Sequence, residues 1–363
     1  MSGPTMGEKR VFGEKFMRGI RDSWYDYQTC MNMLADVLMY MDRVYCQDQR
    51  RPSIFVTAMG LFKDYILFAK SSDQQDSPTL LDVLTSIILE QVAMDRAGDE
   101  IDKHLIKSCV YMLEGLYNDP DMETDEHKLY NAAFEETFLR ASREFYRAEG
   151  INAIQVSDAG SYAAHTMRRI NEEMDRCRST LAESTSSKIV KVVEDELISD
   201  RMKDLIESET GVRSMVDNDR LDDLGRIFDL NRRVDAQKTE LRKAIQGIIS
   251  DMGNEVNKAA SMTSMAPPAP VDQGEKEKGP TVNQQTVAAI KWVEDVLHLK
   301  DKFDKIWRVS FQSDQTLQTA QTQSFASFIN STTFTRSSEY ISLFIDDNMK
   351  RGIKGKTESE TDA

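Results

Sequence analysis

The sequence predicts an all-α chain, an elongated α-solenoid whose helical units stack along its length. Three observations carry this. Apolar residues recur in steps of three and four almost throughout, with almost no alternation in steps of two. The helices fall into groups of about five, one between residues 79 and 207 and one between 211 and 330, a long-period repeat in which each unit buries its faces against the next. The third is the stretch 187–207, SKIVKVVEDELISDRMKDLIE, which holds neither Gly nor Pro and reads as a single helix. At about 100° per residue, Ile189, Val190, Val193 and Leu197 share one side, while Ile198, Met202, Leu205 and Ile206 fall roughly opposite. A helix apolar on one side early and on the other late needs two different neighbours, as a joint between units does. Gly211 then offers it a left-handed stop.

Taken in order, Phe16, Ile20, Trp24, Tyr27, Met31, Leu34, Leu38, Met41 and Tyr45 predict one amphipathic helix on the order of 45 Å long. Arg50, Arg51 and Pro52 end it, Ser53 caps the next, and Phe55, Met59, Phe62 and Ile66 form that helix's apolar face. The polar run SSDQQDSP, 71–78, is a break. Leu81, Leu84, Ile88 and Val92 make a stripe closed by Gly98, and Asp99 caps a helix carrying Leu105, Cys109, Met112 and Leu116. Asn118, Asp119 and Pro120 signal a turn. Phe134, Phe138 and Phe145 lie on a helix stopped near Gly150. Ser157 opens another, with Ala163, Met167, Ile170, Met174, Cys177 and Leu181. Beyond Gly211, Leu221, Leu224 and Phe228 predict a short helix, and Leu241, Ile245, Ile248, Met252 and Val256 a longer one. Residues 261–281, rich in Ala, Pro and Lys/Glu, read as a flexible insertion. Ile290, Val293, Leu297, Phe303 and Trp307 mark the next helix, and Leu317, Phe325 and Phe328 another.

Composition narrows the function classes. The chain has 363 residues, 40% hydrophobic and 29% charged, which suits a packed core. Its formal charge of -15, with 61 acidic residues and no long basic block to offset them, argues against nucleic acid and for a protein partner. No apolar run approaches the roughly 18 residues that span a bilayer, and MSGPTMGEKRVFGEKF is not a secretory signal. The expectation is a cytoplasmic or nuclear protein without membrane contact. Cys30, Cys46, Cys109 and Cys177 are widely spaced, so neither a disulfide framework nor a zinc site is indicated, and they are expected mostly on apolar helix faces. Asp346 and Asp347 have no third ligand beside them, and His104 and Cys109, five apart on a helix, do not suit a nucleophile pair. His127, His165 and His298 stand apart, and there is no glycine-rich phosphate loop. No catalytic residue, cofactor or metal is expected.

Four stretches have more specific content: LMYMDRVY at 38–45, RINEEMDR at 169–176, KIVKVVEDELIS at 188–199 and SSEYISLFIDDNMKRGIKG at 337–355. They resemble the cullins, the scaffolds of multisubunit RING-type ubiquitin ligases, and within them the class that recruits BTB-domain adaptors (cullin-3). The likeness runs from about Phe16 to Gly355. It implies a stalk of five-helix cullin repeats: a partial first repeat at 1–75, a second at 76–210, a third at 211–335, and at 336–363 the approach to a C-terminal half. That half, with the RING-box site and the lysine that accepts Nedd8, has no counterpart here by this reading, and Lys350, Lys354 and Lys356 are not that lysine.

In the family the stalk tip binds the adaptor. The three helices that open the family's first repeat have no match before Phe16, so the resemblance leaves half of the docking groove, carried by Tyr40, Met41, Arg43 and Tyr45. Aromatic, Met and Arg side chains are the types that anchor interfaces. Met41 and Tyr45 also continue the stripe of Trp24 and Leu38, so they suit the core as well as a partner, and Arg43 suits an ion pair with Asp42 or Asp36. The expected function is a non-catalytic ligase scaffold that holds a BTB-type adaptor and takes a RING-box subunit only with a C-terminal half supplied. The alternative is a stand-alone stalk that sequesters adaptors.

Overall fold

The structure is a computed structural model and describes residues 6–70, 77–118, 124–265, 284–331 and 337–352. Among these there are fourteen α-helices and no strand, only the isolated bridges Lys70 to Thr79 and Tyr117 to Lys128. In order the helices are α1 Met6–Val37, α2 Ile54–Phe62, α3 Leu80–Ala97, α4 Lys103–Glu114, α5 Glu136–Val156, α6 Ala159–Ser179 and α7 Ser186–Glu194. They continue as α8 Met202–Glu207, α9 Val212–Asp217, α10 Leu221–Val234, α11 Thr239–Met265, α12 Gln284–Val309, α13 Gln315–Ile329 and α14 Ser337–Gly352. Residues 119–123 and 266–283 lie outside the description, and with them Asp119, Pro120 and most of the expected insertion. Residues 261–265 of that insertion still belong to α11.

Two compact units form. The first comprises Met1–Ile151 and Met167–Leu197, the second Asn152–Thr166 and Ile198–Ala363. The boundary at Leu197 falls where the sequence places the change of face. Ile189, Val193 and Leu197 are buried in the first unit, and Ile198, Met202, Leu205 and Ile206 in the second. The change is not made by one regular helix, however. A π-helical turn, Asp195–Ser199, follows α7, and a break at Asp200 and Arg201 precedes α8. A π turn takes one more residue than an α turn and so rotates everything after it. Gly211 is likewise not left-handed: its φ is -72, and a Cβ there would meet the carbonyl oxygens of Leu205 and Ser208 at 2.8 Å. Close approach of the chain explains that glycine.

The first unit is built from α1 inward. Met17 and Trp24 of α1 are buried, Trp24 packs edge-on against Phe62 at 4.8 Å, and Tyr27 donates to the Ala58 carbonyl at 2.7 Å. Thr79 and Asp82 make a reciprocal capping box for α3, and Gly98, at φ 94, ends that helix in the left-handed region where an L side chain is strained. The cap of α4 is Asp102, whose carboxylate accepts from the Leu105 amide at 3.0 Å, and not Asp99. Helix α5 continues past Gly150 to Val156, because the cost of an interior glycine, about 1 kcal/mol, is small beside burial of Phe138 and Tyr146 on the same helix.

In the second unit α11 packs on α12 and α13. The buried face of α12 is Ala288, Ala289, Trp292, Leu299, Phe303 and Ile306, whereas Leu297 is 56% exposed. The stripe drawn through Ile290 and Leu297 is therefore off by a fraction of a turn. Two small alanines carry the true seam, and a count of large apolar residues passes over them. The short α9 also escapes the periodicity, being less than two turns long.

Candidate interaction site

The helix begun by α1 does not end at Val37. After a turn at Leu38 it resumes at Met39 and Tyr40, then passes into a π-helical segment, Met41–Cys46, in which no residue is buried. Tyr40 is 81% exposed and Tyr45 59%, and Met41 and Arg43 are exposed with them. The extended stripe is thus covered in its middle, around Trp24 and Tyr27, and bare at its end. Met41 and Tyr45 are therefore exposed and not part of the core. Among the described residues Arg43 makes no ion pair, so its pairing with Asp42 or Asp36 does not form. Asp42 turns elsewhere: its Oδ1 accepts from the Ile54 amide at 2.7 Å and ties the segment to the start of α2.

Ser53 caps α2 as expected, accepting from the Val56 amide at 3.1 Å. Between the two helices lies an apolar groove of about 450 Å³, lined by Met31, Leu34, Cys46, Pro52, Ile54 and Leu61 among others. Further apolar surface continues it. Leu61, Tyr65, Ile66 and Phe68 are exposed, although Ile66 belongs to the stripe of Phe55, Met59 and Phe62. The cause is a second π-helical turn, Lys63–Leu67, which brings Leu67 and the stem of Lys63 inward in place of Ile66. The Lys63 Nζ then donates to the Asn118 carbonyl at 2.7 Å. Regular three-four spacing gives no sign of such a turn, so Tyr65, Phe68 and the groove were not legible beforehand.

The other quoted stretches build the framework. In RINEEMDR, Glu173 is wholly enclosed. Arg96 Nε lies 2.8 Å from its Oε1, Arg176 and the Tyr146 hydroxyl donate to the same oxygen, and Arg96 also reaches Ser142 at 2.7 Å. Arg176 pairs with Asp95 at 2.7 Å, and the Arg96 guanidinium lies 5.1 Å from the rings of Phe145 and Tyr146. Burial pushes the Glu173 carboxyl up, but Arg96 and Arg176 outweigh it and hold it below the carboxylate range. In KIVKVVEDELIS, Lys188 meets the buried Glu135 at 2.6 Å, and the buried Glu196 meets Arg147 at 3.0 Å. On α14, Tyr340 packs edge-on against Trp292 at 5.8 Å.

Among the described residues the cysteines and histidines form no reactive constellation. Cys109 and Cys177 are buried, and burial pushes both thiols up to about 12, far from the thiolate form a nucleophile needs. Cys30 is exposed and Cys46 half-buried, so only two of the four cysteines lie in the core. Among the described residues no three His, Cys, Asp or Glu side chains are grouped to hold a metal ion, and no helix is long and apolar enough to cross a membrane. Lys350 lies on α14, and Lys354 and Lys356 lie outside the described residues.

Comparison with known proteins agrees with this framework. Residues 4–363 match the family described as Cullin alpha solenoid domain. Cullin-3A of Arabidopsis thaliana is 30% identical over 351 residues, which cover 96% of this chain and 42% of the relative. Cullin-3 of Dictyostelium discoideum is 30% identical over 350 residues, 96% of this chain and 40% of its own length. Cullin-4 of the same organism is 29% identical over 345 residues, covering 95% and 37%. The chain therefore spans about two fifths of the length of these relatives. From its all-α architecture and these matches, the chain belongs to the cullin family and is cullin-3-like.

Proposed function

We propose that the chain is the non-catalytic scaffold portion of a cullin-RING ubiquitin ligase and holds a BTB-domain substrate adaptor through Tyr40, Met41, Arg43 and Tyr45. The observation that carries the reading is their joint exposure on one unburied π-helical segment and the residue directly before it, beside an apolar groove. Two tyrosines and a methionine offer area for burial, and an unpaired arginine offers directed hydrogen bonds at the rim. The scaffold makes no bonds itself. It holds the adaptor at a set distance from the charged ubiquitin-conjugating enzyme and so raises the effective concentration of a substrate lysine at the thioester. Buried nodes such as Glu173 with its two arginines support that role, because helices pinned by enclosed, hydrogen-bonded charges resist sliding.

Recruitment of the RING-box subunit belongs, in this reading, to sequence beyond the two fifths of the relatives matched here. The setting is the cytoplasm or nucleus, which the four unpaired thiols suit. Calorimetric titration of the chain with a BTB-domain adaptor tests the proposal. Micromolar or tighter binding is expected, weakened by about 1–2 kcal/mol in Tyr40→Ala or Tyr45→Ala. No heat, together with no complex on a sizing column, would overturn it.

A further inference from the structure

The linker into α2 reads Arg50-Arg51-Pro52-Ser53-Ile54. Two arginines at three and two positions before a serine, with an apolar residue directly after it, form the pattern that an arginine-directed protein kinase reads. Carboxylates of the kinase take the two guanidinium groups, and an apolar pocket takes the next residue. The structure leaves Arg50, Arg51 and Pro52 exposed, with Ser53 and Ile54 half-buried beside them. Arg51, Pro52 and Ser53 lie outside any helix, and Ser53 is extended, with φ -60 and ψ 158. Arg50, at φ 49, is left-handed, a conformation non-glycine residues adopt mostly in turns. Arg50 and Arg51 are exposed, and among the described residues neither guanidinium has a hydrogen bond or ion pair. Both are available to an acidic substrate groove.

We propose that Ser53 is a phosphorylation site for an arginine-directed kinase, and that the phosphoryl group releases the Asp42 hydrogen bond that ties Met41–Cys46 to α2. In the transfer, Ser53 Oγ attacks the γ-phosphorus of ATP. The new O–P bond forms as the bond from that phosphorus to the β,γ-bridging oxygen breaks, ADP leaves, and the hydroxyl proton passes to the kinase's catalytic carboxylate. Reaching the kinase requires the first turn of α2 to open, and the end of a helix opens most readily.

The consequence follows from what surrounds Ser53. Its Oγ accepts from the Val56 amide at 3.1 Å, while the Ile54 amide is held by Asp42 at 2.7 Å. A phosphoserine brings about -1.5 to -2 charges and three acceptor oxygens to this turn. The phosphate competes with Asp42 for the amides of the helix start and repels its carboxylate. Because Met41–Cys46 buries no residue, loss of that bond frees the segment to move. As a control on adaptor binding, this rests on the function proposed above. The modification itself does not.

The test treats the 363-residue chain with the catalytic subunit of cAMP-dependent protein kinase and magnesium ATP, and locates phosphate by mass spectrometry. One phosphate on Ser53 is expected, absent in Ser53→Asn, which keeps a good helix cap without the hydroxyl. Arg50→Ala and Arg51→Ala should each lower kcat/KM for the kinase by about tenfold or more. Phosphate placed elsewhere, or undiminished in Ser53→Asn, would overturn the site. Hydrogen exchange then compares the phosphorylated and unmodified chains. Amides of Met41–Cys46 should exchange about tenfold faster after modification, and an unchanged rate would refute the release. Exchange is read without any adaptor, so an adaptor that fails to bind counts against the proposed function and leaves both of these results standing.

Discussion

Glu173 shows how one residue type can carry opposite tendencies. Full burial raises the energy of its charge, and Arg96 and Arg176 lower it by more, so its folded pKa lies below the ordinary 4.5. A depressed carboxylate adds stability above its unfolded pKa and loses it as the pH falls through the folded value. Glu173→Gln should therefore cost about 3–5 kcal/mol in urea unfolding at neutral pH, since two buried guanidinium groups lose their anion. The gap to the parent chain should narrow once the pH drops below that range. The cysteines give a second residue-scale prediction. A maleimide should label Cys30 first and Cys46 more slowly, and Cys109 and Cys177 only in denaturant, because their thiols stay protonated and enclosed. At the site, Tyr40→Ala and Tyr45→Ala should weaken adaptor binding without shifting the thermal midpoint, both side chains being largely exposed.

At the scale of elements, packing in the second unit depends on one amide. Asn257 of α11 is fully buried, accepts from Trp292 Nε1 of α12 at 2.7 Å and donates to the Phe328 carbonyl of α13 at 3.0 Å. Asn257→Ala would leave the buried Trp292 N–H unpaired and remove one of the hydrogen bonds to the Phe328 carbonyl, at a cost of about 1–3 kcal/mol, read as a lowered urea midpoint. The π-helical turns are the other element-scale device. Met41–Cys46, Lys63–Leu67, Tyr130–Glu135 and Asp195–Ser199 each add a residue to a turn and shift the face that follows. At 41–46 the result is a bare surface, and at 195–199 it accompanies the passage from one unit to the next.

For the molecule as a whole, charge sets the class of partner. At -15 the chain repels a polyanion, and its arginines are largely engaged by its own carboxylates, as around Glu173 and in the pairing of Arg220 with Asp158 at 2.6 Å. Retention on a duplex DNA column should be absent at about 0.1 M salt, and retention there would contradict the protein-binding role proposed above. The buried ion nodes in the first unit and the Asn257 node in the second place polar groups where each must be matched, which fixes helix register more sharply than apolar contact alone.

The sequence by itself determined the class of fold, most helices, the cap at Ser53, the family, and the change of face at Leu197. These depend on local periodicity and on short-range hydrogen bonds, both written along the chain. Only the tertiary structure decided that Met41 and Tyr45 face solvent, that Leu67 replaces Ile66 in the core, that α12 packs through Ala288, Ala289 and Trp292, and that the RINEEMDR charges are buried. A π turn costs one residue of phase that no regular spacing records, and a charged side chain such as Glu173 reads as surface until partners such as Arg96 and Tyr146 are brought in from other helices.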